Sequence, residues 1–427
     1  MTSMTPRAKN LALMLLAMTQ FVVVIDASIV NIALPSIGVA LHFSQADLSW
    51  VVNAYTLTFG GFLLLGGRLA DLVGRRRMFM IGLIVFSVAS LLGGLLTSGL
   101  NWRWVLFVNV PIGLVCAALA PRILLESRAE TETREFDIPG AVTVTAGLAL
   151  LVYALVDAVN VGWGSTATIL RLAGAFALLA IFLAIESRAR SPLMPFSIFR
   201  LRTLRGADAV ALLIGMSLFS MFFFVSLYMQ QVLHYSALRA GVSYLPLAVG
   251  IILSAGAASF LVTRFGFKPV LLSGLLFVAA GLFWFSKVPA SGGSFSADVL
   301  GPSLLAAVGL GLSFVPVTIA AVSGTRPHEA GLASGLVNTA QQVGGALGLA
   351  ILATVANSAT KSALHAGGHN LPYALTKGFE RAFLVGSGFA LIGALLTVVM
   401  ISSRDSRAHS NEARSSEAST EAATASA

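Results

Sequence analysis

Residues 67–104 read GRLADLVGRRRMFMIGLIVFSVASLLGGLLTSGLNWRW, from Gly67 to Trp104. A basic turn closing on Arg75, Arg76 and Arg77 runs into an uncharged stretch that lasts until Arg103. A helix needs roughly 20 apolar residues to cross the hydrocarbon core of a bilayer. Residues 78–98 therefore suffice for one pass and not for two. The left half reads as a membrane helix that starts at cytoplasmic arginines. The right half, ending in Trp102 and Trp104, reads as the approach to another pass at the opposite interface. The fold depends on whether this stretch is one pass by design or a join.

The rest of the chain shares its character. Of 427 residues, 57% are hydrophobic and 11% charged, against about 25% charged in soluble domains. Such a surface must face lipid. The net charge of +9 is split into short clusters between apolar runs. That pattern fits membrane topology, so the bilayer is the expected partner and nucleic acid is not. Cys116 is the single cysteine, which excludes a disulfide framework. Arg7 and Lys9 precede an apolar run that is long, contains Asp26 and lacks a small-residue cleavage site. It reads as a retained first helix and not as a signal peptide.

Twelve passes are predicted: 11–37, 48–70, 78–98, 104–123, 138–159, 166–186, 208–232, 240–263, 269–287, 299–323, 331–356 and 380–402. No strand-like alternation is sustained, and unpaired backbone is forbidden in lipid, so an all-α integral membrane protein is expected. With a cytoplasmic N-terminus, 20 of the 27 lysines and arginines fall on the inner side and 7 on the outer. This bias supports an even number of passes and two cytoplasmic termini. Residues 403–427 are polar and low in complexity, and read as a disordered cytoplasmic tail.

Several polar residues stand out against this background. Gly67 and Gly74 permit close approach and a tight turn, and Asp71 is an acid among arginines at a helix end. Asp26 lies inside the first helix. An ionised carboxylate there is costly in lipid, so it should face the bundle interior, as a proton-coupling group or as a structural hydrogen bonder. Asn31 follows it, and Asn53 and Tyr55 open the second helix. In 331–356, Gly331, Gly335, Asn338, Gln342 and Gly345 recur at helical spacing, with Gln341 beside them. That face serves helix packing or lines a cavity. His365 and His369 fall in a glycine-containing outer loop without the other ligands a zinc site needs, so no metal is expected. No phosphate-binding glycine loop or nucleophile–base motif is present, so neither an ATP-driven pump nor an enzyme is expected.

The stretch 67–77 resembles the signature loop of the major facilitator superfamily. Residues 22–35, VVVIDASIVNIALP, resemble the first-helix motif of its drug:proton antiporters, in particular the fourteen-helix branch. WVVNAYTLTFGG at 50–61 is similar to that branch's second helix, WRWVLFVNVPIG at 102–113 to its sixth, and GLASGLVNTAQQVGGALG at 331–348 to its thirteenth. The resemblance implies two helix bundles that alternate between inward- and outward-open states. It implies a latch at Gly67, Asp71, Gly74, Arg75 and Arg76. A fainter echo, TRFGFKPV at 263–270, sets Gly266 where the first half has Gly74 and Thr263 where it has Asp71.

The resemblance also explains the opening stretch. MFMIGLIVFSVASLL at 78–92 resembles the branch's third helix, and LLGGLLTSGLNWRW at 91–104 resembles the end of its fifth. Both run outward, so a join near residues 91–94 removes two passes and leaves every later loop on its proper side. The organisation implied is a shortened four-helix bundle (1–123) and a linker (124–207) with two additional spanning helices and a basic cytoplasmic loop. A six-helix bundle (208–402) and the tail (403–427) follow. The function implied is export of amphipathic or cationic small molecules across the cell membrane, without a cofactor, driven by the proton gradient through Asp26. Asn31, Asn53, Tyr55, Asn338, Gln341 and Gln342 are candidates for the substrate cavity, and a monomer is expected. The alternative is a transport-deficient relative with a membrane binding or assembly role.

Overall fold

The computed structural model describes residues 73–96, 109–124, 137–189, 196–326, 329–366 and 370–425 continuously, with isolated positions between 11 and 70. Every element among these residues is a helix, the arrangement that satisfies backbone polar groups within lipid. Seven of the described helices are long and apolar enough to cross a membrane. Two compact units divide the chain: Met1–Ser44 with Leu65–Phe136, and Gln45–Leu64 with Asp137–Ala427.

In the first unit, α1 (Arg75–Leu96) packs along α2 (Asn109–Ile123). Leu83 of α1 meets Cys116, Ala117 and Ala120 of α2, with Leu15 in the same cluster. Lipid is as apolar as these side chains, so close packing of small residues holds such a seam and not the hydrophobic effect. Ile84, Val85, Val88, Leu114 and Val115 are exposed, as suits lipid-facing positions.

In the second unit, α3 (Ile138–Val161) and α4 (Thr166–Glu186) form a hairpin. Ser165 caps α4 by accepting from the Thr168 N–H at 3.2 Å. Arg171 of α4 pairs with Asp157 of α3 and lies 4.7 Å from the centre of the Tyr153 ring. The central helix is α5 (Arg202–Leu227), continued by a π-turn at Tyr228–Val232. The pass after it joins α6 (Ala237–Ser243) to α7 (Leu245–Phe265). Then come α8 (Phe267–Phe285), a π-turn at Phe295–Val299, α9 (Leu300–Val322), α10 (Ala330–His365) and α11 (Leu371–Met400). Helix α5 packs on α10 and α11, α9 on α7 and α8, and α8 on α11. Val152 of α3 packs against Ala346 and Ala350 of α10.

Serines tie these helices together by donating to carbonyls across each contact. Ser217 reaches Gly386 O at 3.2 Å, Ser254 reaches Ala307 O at 3.2 Å, and Ser387 reaches Ala279 O at 2.8 Å. Inside lipid a hydroxyl has few other partners, so each bond also fixes register.

Several boundaries differ from the sequence reading. The pass at 166–186 coincides with α4, but α5 begins at Arg202 and not at 208, and α11 begins at Leu371 and not at 380. Charged residues near the ends of these helices look like loop from composition. Here they lie along helices whose backbone bonding continues past the apolar run. Helix α10 runs on to His365, so that histidine is helical and its Nδ1 lies 2.7 Å from Lys361 O; His369 lies outside the described residues. The passes at 11–37 and 48–70 fall mostly outside them too.

The tail also departs from expectation. Residues Ser403–Ala425 form a helix, α12, where disorder is predicted from composition. Its first half is tethered. The Lys268 N–H donates to Ser406 Oγ at 3.0 Å, Thr203 Oγ1 donates to Asp405 at 2.5 Å, and Arg414 donates to Arg264 O. His409 lies 6.0 Å from Phe267, ring centre to ring centre. A helix that is polar all round needs such fixed partners to form.

Candidate functional site

The turn before α1 is built on Gly74. Its φ is 116°, a conformation that costs glycine little and other residues strain. Its N–H donates to Ala70 O at 3.0 Å and its carbonyl accepts from the Met78 N–H at 2.9 Å, so one helix stops and the next starts across a single residue. Arg75 and Arg77 are exposed and Arg76 is half-buried. Arg76 Nη1 donates to Pro121 O at 3.4 Å and to Leu124 O at 3.3 Å, at the C-terminal end of α2. The last carbonyls of a helix lack intrahelical partners and carry partial negative charge, so a cation there is favourable.

The second half repeats the device. Gly266, φ 83°, separates α7 from α8, and its N–H donates to Val262 O at 2.8 Å. Lys268 Nζ donates to Val398 O at 2.8 Å and Ile401 O at 2.7 Å, at the C-terminal end of α11. Each half thus has a positive-φ glycine and, two residues on, a cation reaching the end of another helix of its own unit. The acid is not repeated: Thr263 bonds back to Phe260 O at 2.8 Å. From sequence the echo looks chemically degenerate, yet the cation's role survives in it.

The face predicted on α10 is present in part. Helices α5 and α10 meet so closely that a Cβ on Gly215 would overlap the Gln341 backbone. Cβ atoms on Gly344 and Gly348 would overlap the backbones of Leu212 and Met216. Gly345 meets the Phe219 ring. Of the glycines predicted on this face Gly345 therefore serves packing, together with Gly344 and Gly348, while a Cβ on Gly335 would meet nothing within 4 Å. Asn338 is exposed and its amide donates to Ser334 O at 2.9 Å, while Gln341 and Gln342 are half-buried.

Asp26, Asn31, Asn53, Tyr55, Gly67 and Asp71 lie outside the described residues. One acid escaped the sequence reading. Asp208 stands in the second turn of α5, and its Oδ1 is buried without a hydrogen-bond partner among the described residues. Starting the helix at 208 disguised it as an end residue. The signal that could have revealed it is the Gly206–Leu213 stretch, which extends the apolar run backwards and in which Asp208 is the one charged residue. Among the described residues, no three His, Cys, Asp or Glu side chains come together as a metal site.

Apolar helices of membrane-spanning length, with the same glycine–cation turn in each half, define a multi-pass helical membrane transporter of repeated design. The chain belongs to the Major Facilitator Superfamily, whose family profile matches residues 16–349. It is 35% identical to the cephamycin export protein CmcT of Amycolatopsis lactamdurans, over 93% of this chain and 94% of that one. It is 33% identical to the puromycin resistance protein pur8 of Streptomyces alboniger, over 91% and 90%. Among solved structures, an inward-facing bacterial homologue of the lysosomal transporter Spinster has a TM-score of 0.55 at 16% identity. That match covers 95% of this chain and 99% of the other. The D-xylose–proton symporter has a TM-score of 0.54 at 14% identity, covering 91% and 97%. These two share the fold.

The alignments also carry a gap. The match to the cephamycin exporter spans 465 positions, but 93% of 427 residues is about 397, leaving about 68 positions without a counterpart in this chain. The match to the puromycin resistance protein spans 453 positions against 91% of the chain, about 389 residues, leaving about 64.

Proposed function

We propose that this protein exports amphipathic drugs or small metabolites across the cell membrane by alternating access, in exchange for protons. The observation that carries this reading is end-to-end similarity to relatives named for cephamycin export and puromycin resistance. The same breadth favours transport over a degenerate binding or assembly role. Asp26 is the proton-coupling residue in this reading. Asn31, Asn53, Tyr55, Asn338, Gln341 and Gln342 contribute to the substrate cavity, and the loop from Gly67 to Arg76 latches one state. No cofactor, metal or catalytic chemistry is involved. The termini are cytoplasmic, as the distribution of lysine and arginine supports, and the working form is a monomer. In this reading the unmatched positions fall together at the join at residues 91–94, where about 60–70 positions would hold two passes at roughly 20 residues each plus loops.

The test is ethidium accumulation in a drug-susceptible bacterial host making the full chain. Expected is lowered accumulation that a protonophore abolishes, with Asp26→Asn losing the protonophore-sensitive part. Protonophore-sensitive efflux that survives unchanged in Asp26→Asn would remove Asp26 from the coupling step.

A further inference from the structure

Asp208 is not used by the reading above, and its setting is hard to explain as structural. The free N–H groups at the start of α5 belong to its first residues, Arg202 to Leu204, since the Arg205 N–H already donates to Leu201 O at 3.2 Å. Asp208 lies beyond them and cannot cap the helix. Leu201 holds the cap position without a side-chain bond. Asp208 makes no ion pair among the described residues, although Arg205 is three residues away and exposed. A buried carboxylate oxygen without donor or counter-ion is costly as an anion, and addition of a proton relieves that cost.

Its neighbours are set by the seam. Asp208, Leu212, Gly215 and Phe219 share one stripe of α5. The last three lie against Gly344, Gln341 and Gly345 of α10. The two helices run parallel, since Leu212 meets Gly344 and Met216 meets Gly348. Asp208 therefore stands one turn earlier, at the level of the α10 turn that carries Asn338. The charges around that level are few and mostly engaged. Arg202 donates to Val399 O, Lys268 to Val398 O and Ile401 O, and Thr203 to Asp405. Glu329, before α10, accepts from the Arg326 N–H at 3.2 Å. Arg200 lies in the short helix before α5. Helix α9, α10 up to Lys361 and α11 beyond Arg381 contain no charged residue.

We propose that Asp208 is a second proton-binding site, in the second bundle, exchanging its proton as α5 and α10 shift against each other during transport. The step is the reversible loss of one proton from a carboxylic acid, with no other bond made or broken. The inference rests on the proton-coupled reading, and the experiment separates the two. Purified full-length wild type, Asp208→Asn and Asp208→Glu are compared by infrared difference spectroscopy on acidification. They are then reconstituted, and proton movement is recorded on adding ethidium.

A carboxylic-acid carbonyl band is expected in wild type, missing from Asp208→Asn and restored in Asp208→Glu. Ethidium-linked proton movement should be largely lost in Asp208→Asn, since intramembrane acids serve as proton relays, and recover substantially in Asp208→Glu. An unchanged band in Asp208→Asn, or unchanged protons moved per ethidium, would overturn the inference alone. So would equal loss in Asp208→Asn and Asp208→Glu, which marks a structural role. A wild type that moves ethidium without protons would sink the coupled reading, and this inference with it.

Discussion

Arg76 and Lys268 perform the same task under different conditions, and the difference can be measured. Each cation has one exposed and one partly buried contact, but Arg76 holds its two carbonyls at 3.3–3.4 Å and Lys268 holds its two at 2.7–2.8 Å. A cation at an exposed helix C-terminus contributes about 0.3–1 kcal/mol, while a charged hydrogen bond of good geometry contributes about 1.5–3 kcal/mol. Lys268→Ala should therefore lower the thermal midpoint of the detergent-purified protein more than Arg76→Ala does. Equal shifts would mean that the two turns do not differ as their geometry indicates. At this scale the sequence exposes Gly74 and Gly266, because a turn between two helices leaves few alternatives to glycine. It hides which of three consecutive arginines reaches the end of α2, since that depends on the position of Pro121 and Leu124, some 45–48 residues further on.

Among the helices, the seam of α5 with α10 makes the sharpest demand. Gly344 lies against the Leu212 backbone, whereas a Cβ on Gly335, two and a half turns earlier on α10, would meet nothing within 4 Å. Gly344→Ala should destabilise by about 1–3 kcal/mol through overpacking. Gly335→Ala should be neutral or stabilise by up to about 1 kcal/mol, because alanine is the better helix former. Thermal unfolding in detergent checks both, and a Gly344→Ala protein as stable as wild type would disprove the close contact. The spacing of glycines and amides made this face legible, but not whether packing or a cavity uses it. Small residues serve both, and only the partner helix decides between them. Asp208 was lost for a related reason. Arg202 and Arg205 make the start of α5 look like loop, while the helix simply extends beneath them.

For the whole molecule, apolar periods and loop charges were enough to give an all-helical membrane protein, and five motifs were enough to give its family. Helix α12 was not legible, because nothing periodic in SRDSRAHSNEARSSEASTEAATA announces it; its order comes from Thr203, Arg264 and Lys268, distant in sequence. Removing residues 403–427 should leave the remaining helices folded. The Lys268 amide, which donates to Ser406 Oγ of α12, should then exchange with deuterium faster, and unchanged protection there would show that α12 does not dock. The length of the chain is the larger matter, because relatives named for export align over some 60–70 positions that this chain lacks. The central claim is that the chain of 427 residues nonetheless transports. The most direct measurement is ethidium uptake into proteoliposomes holding the purified chain, with a pH gradient imposed and then collapsed. Expected is accumulation that follows the gradient and stops on its collapse; uptake no greater than in protein-free vesicles, from folded and inserted protein, would contradict it.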